Sequence, residues 1–356
     1  MVRRKSQIDS VREAIDQLNR ELLDLLNRRT GLVEQVRALK VEHGLDLYDP
    51  MREAQQIQRL MLMNRGPMSN SMVESVFKEI FRASLSHQLR RGTEQAPLVL
   101  EKTGTPRRVE VKGCSIGSGK PAIIAGPCAV ENEEYLEVVA EALVRLGIRF
   151  IRGGAFKPRT SPYTFQGLGM PGVELLRKVA ARYDLRAVSE ITDACTLPDF
   201  AAGVDVIQVG ARNMFNYDLL TRLGNSGKPV LLKRHFAATV DELFQAAEYL
   251  LAGGNRNVIL CERGIRTFEH ATRSTLDISA VCLIKEYTDL PVIVDVSHAA
   301  GRRDLLVPLS RAALAAGADG ILIEVHPNPV AAMSDGSQQL SLQEFERYLE
   351  GISTFL

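Results

Sequence analysis

The chain contains no tryptophan, only five cysteines in 356 residues, and almost no net charge, with 44 Lys and Arg standing against 43 Asp and Glu. Cys114, Cys128, Cys195, Cys261 and Cys282 are odd in number, far apart and never in a Cys-x-x-Cys pair. That spacing excludes a disulfide framework and the usual zinc and dithiol motifs. A net charge of +1 removes the basic face that a general nucleic-acid or membrane-surface binder needs. No apolar run approaches the ~18 residues that span a bilayer. The charged start, Met1 to Gln7, is followed by neither an apolar stretch nor a small-residue cleavage site. The expectation is a cytoplasmic protein that acts on small molecules, with no nucleic-acid or membrane partner.

Glycine and proline are scarce in the first quarter. Residues 1–91 hold three Gly (31, 44, 66) and two Pro (50, 67), leaving 24 Gly and 13 Pro for the rest. Long helices are expected first and short elements with many turns afterwards. Ile8, Val11, Ile15, Leu18, Leu22, Leu25, Leu32, Val36 and Leu39 recur at steps of three, four or seven, the face of one helix from about Ser6 to Glu42. Asp49-Pro50 reads as an N-cap and first-turn proline, opening a second helix to about Asn64; a third runs from Ser71 to Arg91. So unequal a trio leaves a long apolar face uncovered, which a second copy of the chain would bury. Three segments result: a helical domain at 1–91, a linker with a short strand pair at 92–120, and a third domain at 121–356.

From Pro121 onward eight short apolar runs alternate with amphipathic stretches. They are 122–125, 149–151, 186–189, 206–209, 230–233, 258–261, 292–295 and 321–324. Eight βα units over this length predict a (β/α)8 TIM barrel, typically ~250 residues. A doubly wound open sheet is the alternative, although no Gly-x-Gly-x-x-Gly opens the first unit.

In such a barrel chemistry sits at the C-terminal ends of the strands. Every end here offers an ionisable group or reactive side chain: Cys128, Arg152 with Lys157, Glu190, Arg212, Lys233, Arg263, His298, and Glu324 with Asp335 in the loop that follows. Arg152, Lys157, Arg159, Arg212, Lys233 and Arg263 gather cations in a neutral chain, which implies a multiply anionic substrate. The plainer reading pairs each with its own structural carboxylate. Cys128, His298, Glu324 and Asp335 offer S, N and O donors to a divalent transition metal, the alternative being a buried thiol and a hydrogen-bonded core histidine.

These residues carry a resemblance. Ala125-Gly-Pro-Cys-Ala-Val-Glu131, Arg152 to Tyr163, Gln208-Val-Gly-Ala-Arg-Asn213, Leu231-Leu-Lys-Arg234, Cys261 to Phe268, Asp295-Val-Ser-His-Ala-Ala-Gly301, and Glu324-Val-His-Pro327 with Ser334-Asp-Gly336 resemble 3-deoxy-D-arabino-heptulosonate 7-phosphate (DAHP) synthases of the short Iβ type. The N-terminal segment is similar to the all-helical AroQ-type chorismate mutases through Arg12, Leu22 to Arg29, Lys40, Asp49-Pro-Met-Arg-Glu53 and Ser84 to Gln88.

The resemblance implies a bifunctional enzyme of the shikimate pathway for aromatic amino acids. Its barrel would condense phosphoenolpyruvate (PEP) with erythrose 4-phosphate and release phosphate. Arg152, Lys157, Arg212, Lys233 and Arg263 match the PEP clamp; Arg159, Thr160 and Ser161 match the erythrose 4-phosphate motif. Cys128, His298, Glu324 and Asp335 match the metal ligands, with Mn2+ expected first and Fe2+, Co2+ or Zn2+ also admitted by the donors. Lys157, crowded by Arg152 and Arg159, is the candidate proton shuttle, a static phosphate contact being its alternative. In the helical domain Arg29, Lys40 and Gln88 match the catalytic set and Arg12, Asp49, Arg52, Glu53 and Ser84 the remaining chorismate or prephenate binders, Arg12 crossing from a partner subunit. A homodimer of the helical domain inside a homotetramer, and feedback inhibition by prephenate or chorismate, complete the expectation. Two alternatives stand: a helical domain that only binds and regulates, and a barrel that makes the eight-carbon octulosonate. His235-Phe236 departs from the family pattern, which has a small and an aliphatic residue there; His235 is expected to be structural and to alter the mouth near the metal.

Overall fold

The computed structural model describes the backbone of residues 2–43, 45, 49–92, 97–159 and 161–356, and the side chains of these except 2–7, 50 and 85–92. The chain divides into two compact units, Met1–Ala96 and Pro97–Leu356. The first consists of α1 (Val2–Glu42), α2 (Pro50–Met63) and α3 (Asn70–Gly92). Asp49 caps α2, its side chain accepting the Arg52 N–H at 3.0 Å, with Pro50 in the first turn. Among the described residues of this unit only Ile57, Val73 and Phe81 are large buried apolar side chains. On α1, Ile8, Val11, Ile15, Leu18, Leu22 and Leu25 stay 50–63% exposed.

The second unit opens with a hairpin, β1 (Val109–Val111) against β2 (Cys114–Ile116). Eight parallel strands follow: β3 (Ala122–Gly126), β4 (Phe150–Arg152), β5 (Arg186–Ile191), β6 (Val206–Val209), β7 (Val230–Lys233), β8 (Val258–Glu262), β9 (Val292–Asp295) and β10 (Gly320–Glu324). The ring closes through β10 and β3, in register from Gly320 opposite Ala122 to Glu324 opposite Gly126, which removes the open-sheet alternative. Helices α4 (Glu133–Arg145), α5 (Met170–Arg182), α6 (Leu197–Gly203), α7 (Tyr217–Gly224), α8 (Val240–Ala252), α9 (Ile278–Tyr287), α10 (Val296–Ala300), α11 (Leu306–Ala315) and α12 (Leu342–Ile352) connect or follow the strands.

Alternation along each strand builds two cores. Ile123 and Ala125 face the surrounding helices, whereas Ile124 joins Phe150, Val188, Val206, Leu231, Ile259, Ile293 and Leu322 inside the ring. Val109, Val111 and Ile116 of the hairpin pack on this inner layer, so the hairpin stops the N-terminal end of the barrel. Cys261 lies in the same inner core, where burial pushes its thiol up to about 12 and leaves it inert. The hairpin covers the N-terminal end of the ring, which leaves the C-terminal strand ends, where Cys261 lies level with Lys233, as the place for chemistry.

Candidate active sites

β3 ends on Gly126, at φ +149, and the chain turns through Pro127 to Cys128. The Cys128 N–H donates to Gln339 Oε1 at 2.9 Å, and its buried sulfur lies 3.2 Å from Ser334 Oγ and 3.3 Å from Asp335 Oδ2. Lys157 Nζ donates to both the Cys128 carbonyl and its sulfur at 3.0 Å. Only glycine fits at 154 beside it, because a Cβ there would stand 2.8 Å from the Cys128 carbonyl and 2.9 Å from Lys157 Cδ. Arg152, from the end of β4, donates to Glu324 Oε1 at 2.6 Å and to the Pro127 carbonyl at 3.0 Å.

Asp295 closes β9 and begins α10, and its Oδ1 accepts the His298 N–H at 3.0 Å. That cap swings the His298 ring inward, with Nδ1 2.8 Å from Asp295 Oδ2 and Nε2 3.6 Å from Glu324 Oε1. Asp335 adopts φ +51, a left-handed conformation that aspartate tolerates better than most residues. It lies 3.6 Å from both Arg159 and Arg273. Ligand atoms of Cys128, His298, Glu324 and Asp335 all lie within 4.8 Å of one another.

Electrostatics suit a cation at that point. Burial, with help from Glu324, pushes the Cys128 thiol up to about 11, so on its own it stays protonated. A divalent ion is the charge that turns such a thiol into a thiolate ligand. Against the effect of burial, His298, Arg152 and Lys157 bring the Glu324 carboxyl down to about 2. Since burial lowers the His298 pKa and leaves the ring neutral, Arg152 is the partner that matters at neutral pH. Asp335 also falls to about 2, Arg273 being the strongest of the groups that outweigh its burial. The donors present are two carboxylates, an imidazole and a latent thiolate, and they fit a divalent transition metal.

Beside this cluster runs a cleft of ≈ 70 Å³ lined by Arg152, Lys157, Arg159, Arg212, Lys233, Arg263 and Arg273, with Glu190, Gln208 and His298. Arg152, Arg159 and Lys233 do pair with carboxylates. Arg212 and Arg263 make no ion pair among the described residues, and Arg263 only donates to Ser274 Oγ at 3.1 Å. Seven cations therefore face Glu190, Asp295, Glu324 and Asp335, a surplus that calls for an anion.

A second site lies wholly within the helical unit. Arg29 and Lys40 of α1, Asp49 ahead of α2, Arg52, Glu53 and Gln56 of α2, and Phe81 and Ser84 of α3 line a cleft of ≈ 260 Å³ whose apolar wall is Leu32, Val33 and Val36. Arg29 donates to Ser84 Oγ, and its guanidinium lies over the Phe81 ring, 5.1 Å from the centroid. Its pKa is lowered by burial, against the pull of Glu53. Three cations, two carboxylates and an apolar wall fit a compact dicarboxylate with a carbon ring.

Residues 98–354 match the model described as the DAHP synthetase I family. The chain belongs to that family. Residues 11–89 match chorismate mutase type II, so both enzyme families are present in one chain. A phospho-2-dehydro-3-deoxyheptonate aldolase of Thermotoga maritima is 52% identical over 242 residues, 68% of this chain and 72% of that protein. The crystal structure of the Thermotoga maritima DAHP synthase superposes with TM-score 0.69 at 50% identity, covering 71% of this chain and 74% of that one. A 2-dehydro-3-deoxyphosphooctonate aldolase of Fusobacterium nucleatum is 31% identical over 252 residues, 66% of this chain and 90% of its own. The DAHP synthases of this type are metalloenzymes that open the shikimate pathway, and the four-donor cluster is where this chain offers a metal site.

The structure brings together the five cations matched to PEP and the four metal-type donors. Arg159 reaches the same cleft, whereas Ser161 does not line it and Thr160 lies outside the described residues. In the mutase cleft Arg29, Lys40, Asp49, Arg52, Glu53 and Ser84 converge. The Gln88 side chain lies outside the described residues, and Arg12 is exposed in an ion pair with Asp9 instead of lining the cleft. Sequence reasoning missed Arg273, Gln208, Asp295 and the Gln339 brace on Cys128. It also missed Gln56 and Phe81 in the helical unit. His235 packs between the Phe215 and Phe236 rings at 5.4 and 4.0 Å and does not line the anion cleft. Among the described residues no helix is long and apolar enough to cross a membrane.

Proposed function

We propose that the barrel of this DAHP synthase family member condenses PEP with erythrose 4-phosphate and releases inorganic phosphate. The observation that carries this is the four-donor cluster, within 4.8 Å, set against a cleft of seven cations. Arg152, Lys157, Arg212, Lys233 and Arg263 hold the carboxylate and phosphate of PEP; Arg159, Thr160 and Ser161 take the phosphate of the aldose. Cys128, His298, Glu324 and Asp335 would hold a divalent ion, Mn2+ first and Fe2+, Co2+ or Zn2+ within the same donor preference, which would supply Lewis acidity toward the aldehyde. The clamp fixes the enol carbon of PEP against the aldehyde, which removes much of the entropic barrier. Lys157 Nζ is the group that moves a proton at the aldose oxygen. Water adds at C2 and phosphate leaves by C–O cleavage.

In the helical unit the rearrangement of chorismate to prephenate needs only a compact conformer and donors for the breaking ether oxygen. Arg12, Arg29 and Arg52 take carboxylates, Lys40 and Gln88 the ether oxygen, and Glu53 the hydroxyl, with Asp49 and Ser84 in support. A second copy of the chain covers the exposed face of α1 and carries Arg12 into the neighbouring cleft, giving a homodimer within a homotetramer. Prephenate or chorismate held there restrains the barrel, so the first committed step senses a branch-point product.

The test is phosphate release from PEP by the chelated protein, with and without added Mn2+, with erythrose 4-phosphate or arabinose 5-phosphate as acceptor, and with and without prephenate. Full activity in chelator sinks the metal, and a preference for arabinose 5-phosphate makes the barrel an octulosonate synthase. Inhibition unchanged after deletion of residues 1–91 sinks the coupling, and no prephenate formation from chorismate makes the helical unit a binding module only.

A further inference from the structure

Lys233 and Asp295 are the last residues of β7 and β9, alternate strands of the ring. Alternate strands send side chains to the same interior layer. The two side chains meet there, both almost completely buried, the ammonium donating to Asp295 Oδ2. That same Oδ2 is the atom 2.8 Å from His298 Nδ1, though the ring N–H is not well aimed at it. The other oxygen, Oδ1, is committed to the His298 backbone N–H. One carboxylate oxygen thus accepts from Lys233 and stands within reach of His298, two groups with different clients: Lys233 faces the anion cleft, and the far nitrogen of His298 lies toward Glu324 of the four-donor cluster. Arg263, the first residue after β8, the strand between them, also feels the Asp295 charge, and Glu324 faces the far side of the imidazole at 3.6 Å.

We propose that Asp295 couples the two sites, so that a divalent cation on His298 tightens PEP binding at Lys233, and PEP tightens the cation by the same factor. This rests on the assignment of Lys233 to the PEP clamp made above. An ammonium neutralised by a carboxylate in a low-dielectric layer is a poor ligand for a second anion. With a cation on Nε2, the Nδ1–H of His298 is a stronger donor to its carboxylate partner. Oδ2 then shifts its share toward the imidazole, and the positive charge of Lys233 turns to the cleft. Because the two binding free energies are linked, the effect is reciprocal.

Equilibrium binding on the full-length chain tests this without turnover. Chelator-stripped protein is titrated with PEP, no aldose present, with and without saturating Mn2+; free Mn2+ is followed by its electron paramagnetic resonance signal with and without PEP. The expected coupling is about 5- to 150-fold, equal in both directions. Asp295→Asn keeps the shape and removes the charge. In it Mn2+ binding weakens roughly 10- to 100-fold, PEP binds the metal-free variant more tightly than it binds metal-free wild type, and the coupling falls to near one. A folding defect weakens both ligands, so the opposed shifts carry the test. Lys233→Gln gives the mirror result: weaker PEP, tighter Mn2+ in the absence of PEP, and no coupling. PEP affinity indifferent to Mn2+ in the wild type, or weaker PEP binding in metal-free Asp295→Asn, overturns the coupling alone. Failure of the wild type to bind PEP in either condition overturns the PEP assignment and the coupling with it.

Discussion

Replacing Arg152 by Met removes the cation from an ion pair whose side chains are 4% and 0% exposed and whose N···O distance is 2.6 Å. Methionine fills much of the same volume, so the perturbation is chiefly electrostatic. Glu324 is left charged in a dry interior, a change that costs about 3–5 kcal/mol when one member of a buried pair is deleted. Gln338 Nε2 still donates to its other oxygen at 2.6 Å, and His298 stays 3.6 Å away, so the lower end of that range applies. For a unit of this size each kcal/mol moves the melting temperature by about 2 °C, and the barrel transition should fall by about 6 °C. Scanning calorimetry of the full chain in chelator reads the shift, with the helical unit as an internal reference. Adding Glu324→Gln removes the stranded charge and should restore most of the loss. An Arg152→Met transition within a degree of wild type, or a double variant no more stable than the single, would refute the view that this pair is held together by mutual neutralisation.

Acid should weaken the barrel through Glu324 and a second carboxyl of the cluster, Asp335. Glu324 and Asp335 titrate at about 2 in the folded chain against ordinary values of 4.5 and 3.8. Their depressed values stabilise the fold above pH ~4.5, and that contribution is lost as pH falls toward 2; urea titrations of chelated protein between pH 5.5 and 2.5 should show the decline, and a flat profile contradicts it. Gly126→Ala places a Cβ 2.1 Å from the Arg152 carbonyl at φ +149, so the turn into Cys128 must shift; Mn2+ binding and the barrel transition should both suffer, the latter by roughly 2–4 kcal/mol. Lys40→Ala should slow prephenate formation roughly 10²- to 10³-fold, the usual effect of removing a donor to developing negative charge, while phosphate release without effector stays at the wild-type rate. Equal losses in both assays would mean that the cleft has been misassigned.

Much of this was readable in the sequence, and the reasons are particular. The eight strands are short runs of Val, Ile and Leu bounded by turns, and Asp49-Pro50 marks the start of α2 with the cap it proves to use. Cys128, Arg152, His298 and Glu324 were visible because barrel topology brings strand ends to one mouth, whatever their separation along the chain. Arg273 and Gln339 were not, because both sit in irregular segments with no period to place them, and only the folded loops carry them back to Asp335 and Cys128. Asp295 stood in plain view within Asp-Val-Ser-His, yet nothing in that string says that its oxygen also reaches Lys233, 62 residues earlier. The hairpin at Val109 was expected as a strand pair, but its use as the floor of the barrel depends on the inner layer it seals.

The seam between β3 and β10 has a further consequence. These are the first and last strands of the ring, and they lead to Cys128 and Glu324, while Cys128 and Asp335 are 207 residues apart. During synthesis the thiol emerges early and must wait for nearly the whole barrel before its companion ligands exist. A nascent or truncated chain therefore presents at most fragments of the donor set. The four donors converge only once the last strand has paired with the first, so the cluster is a product of ring closure itself.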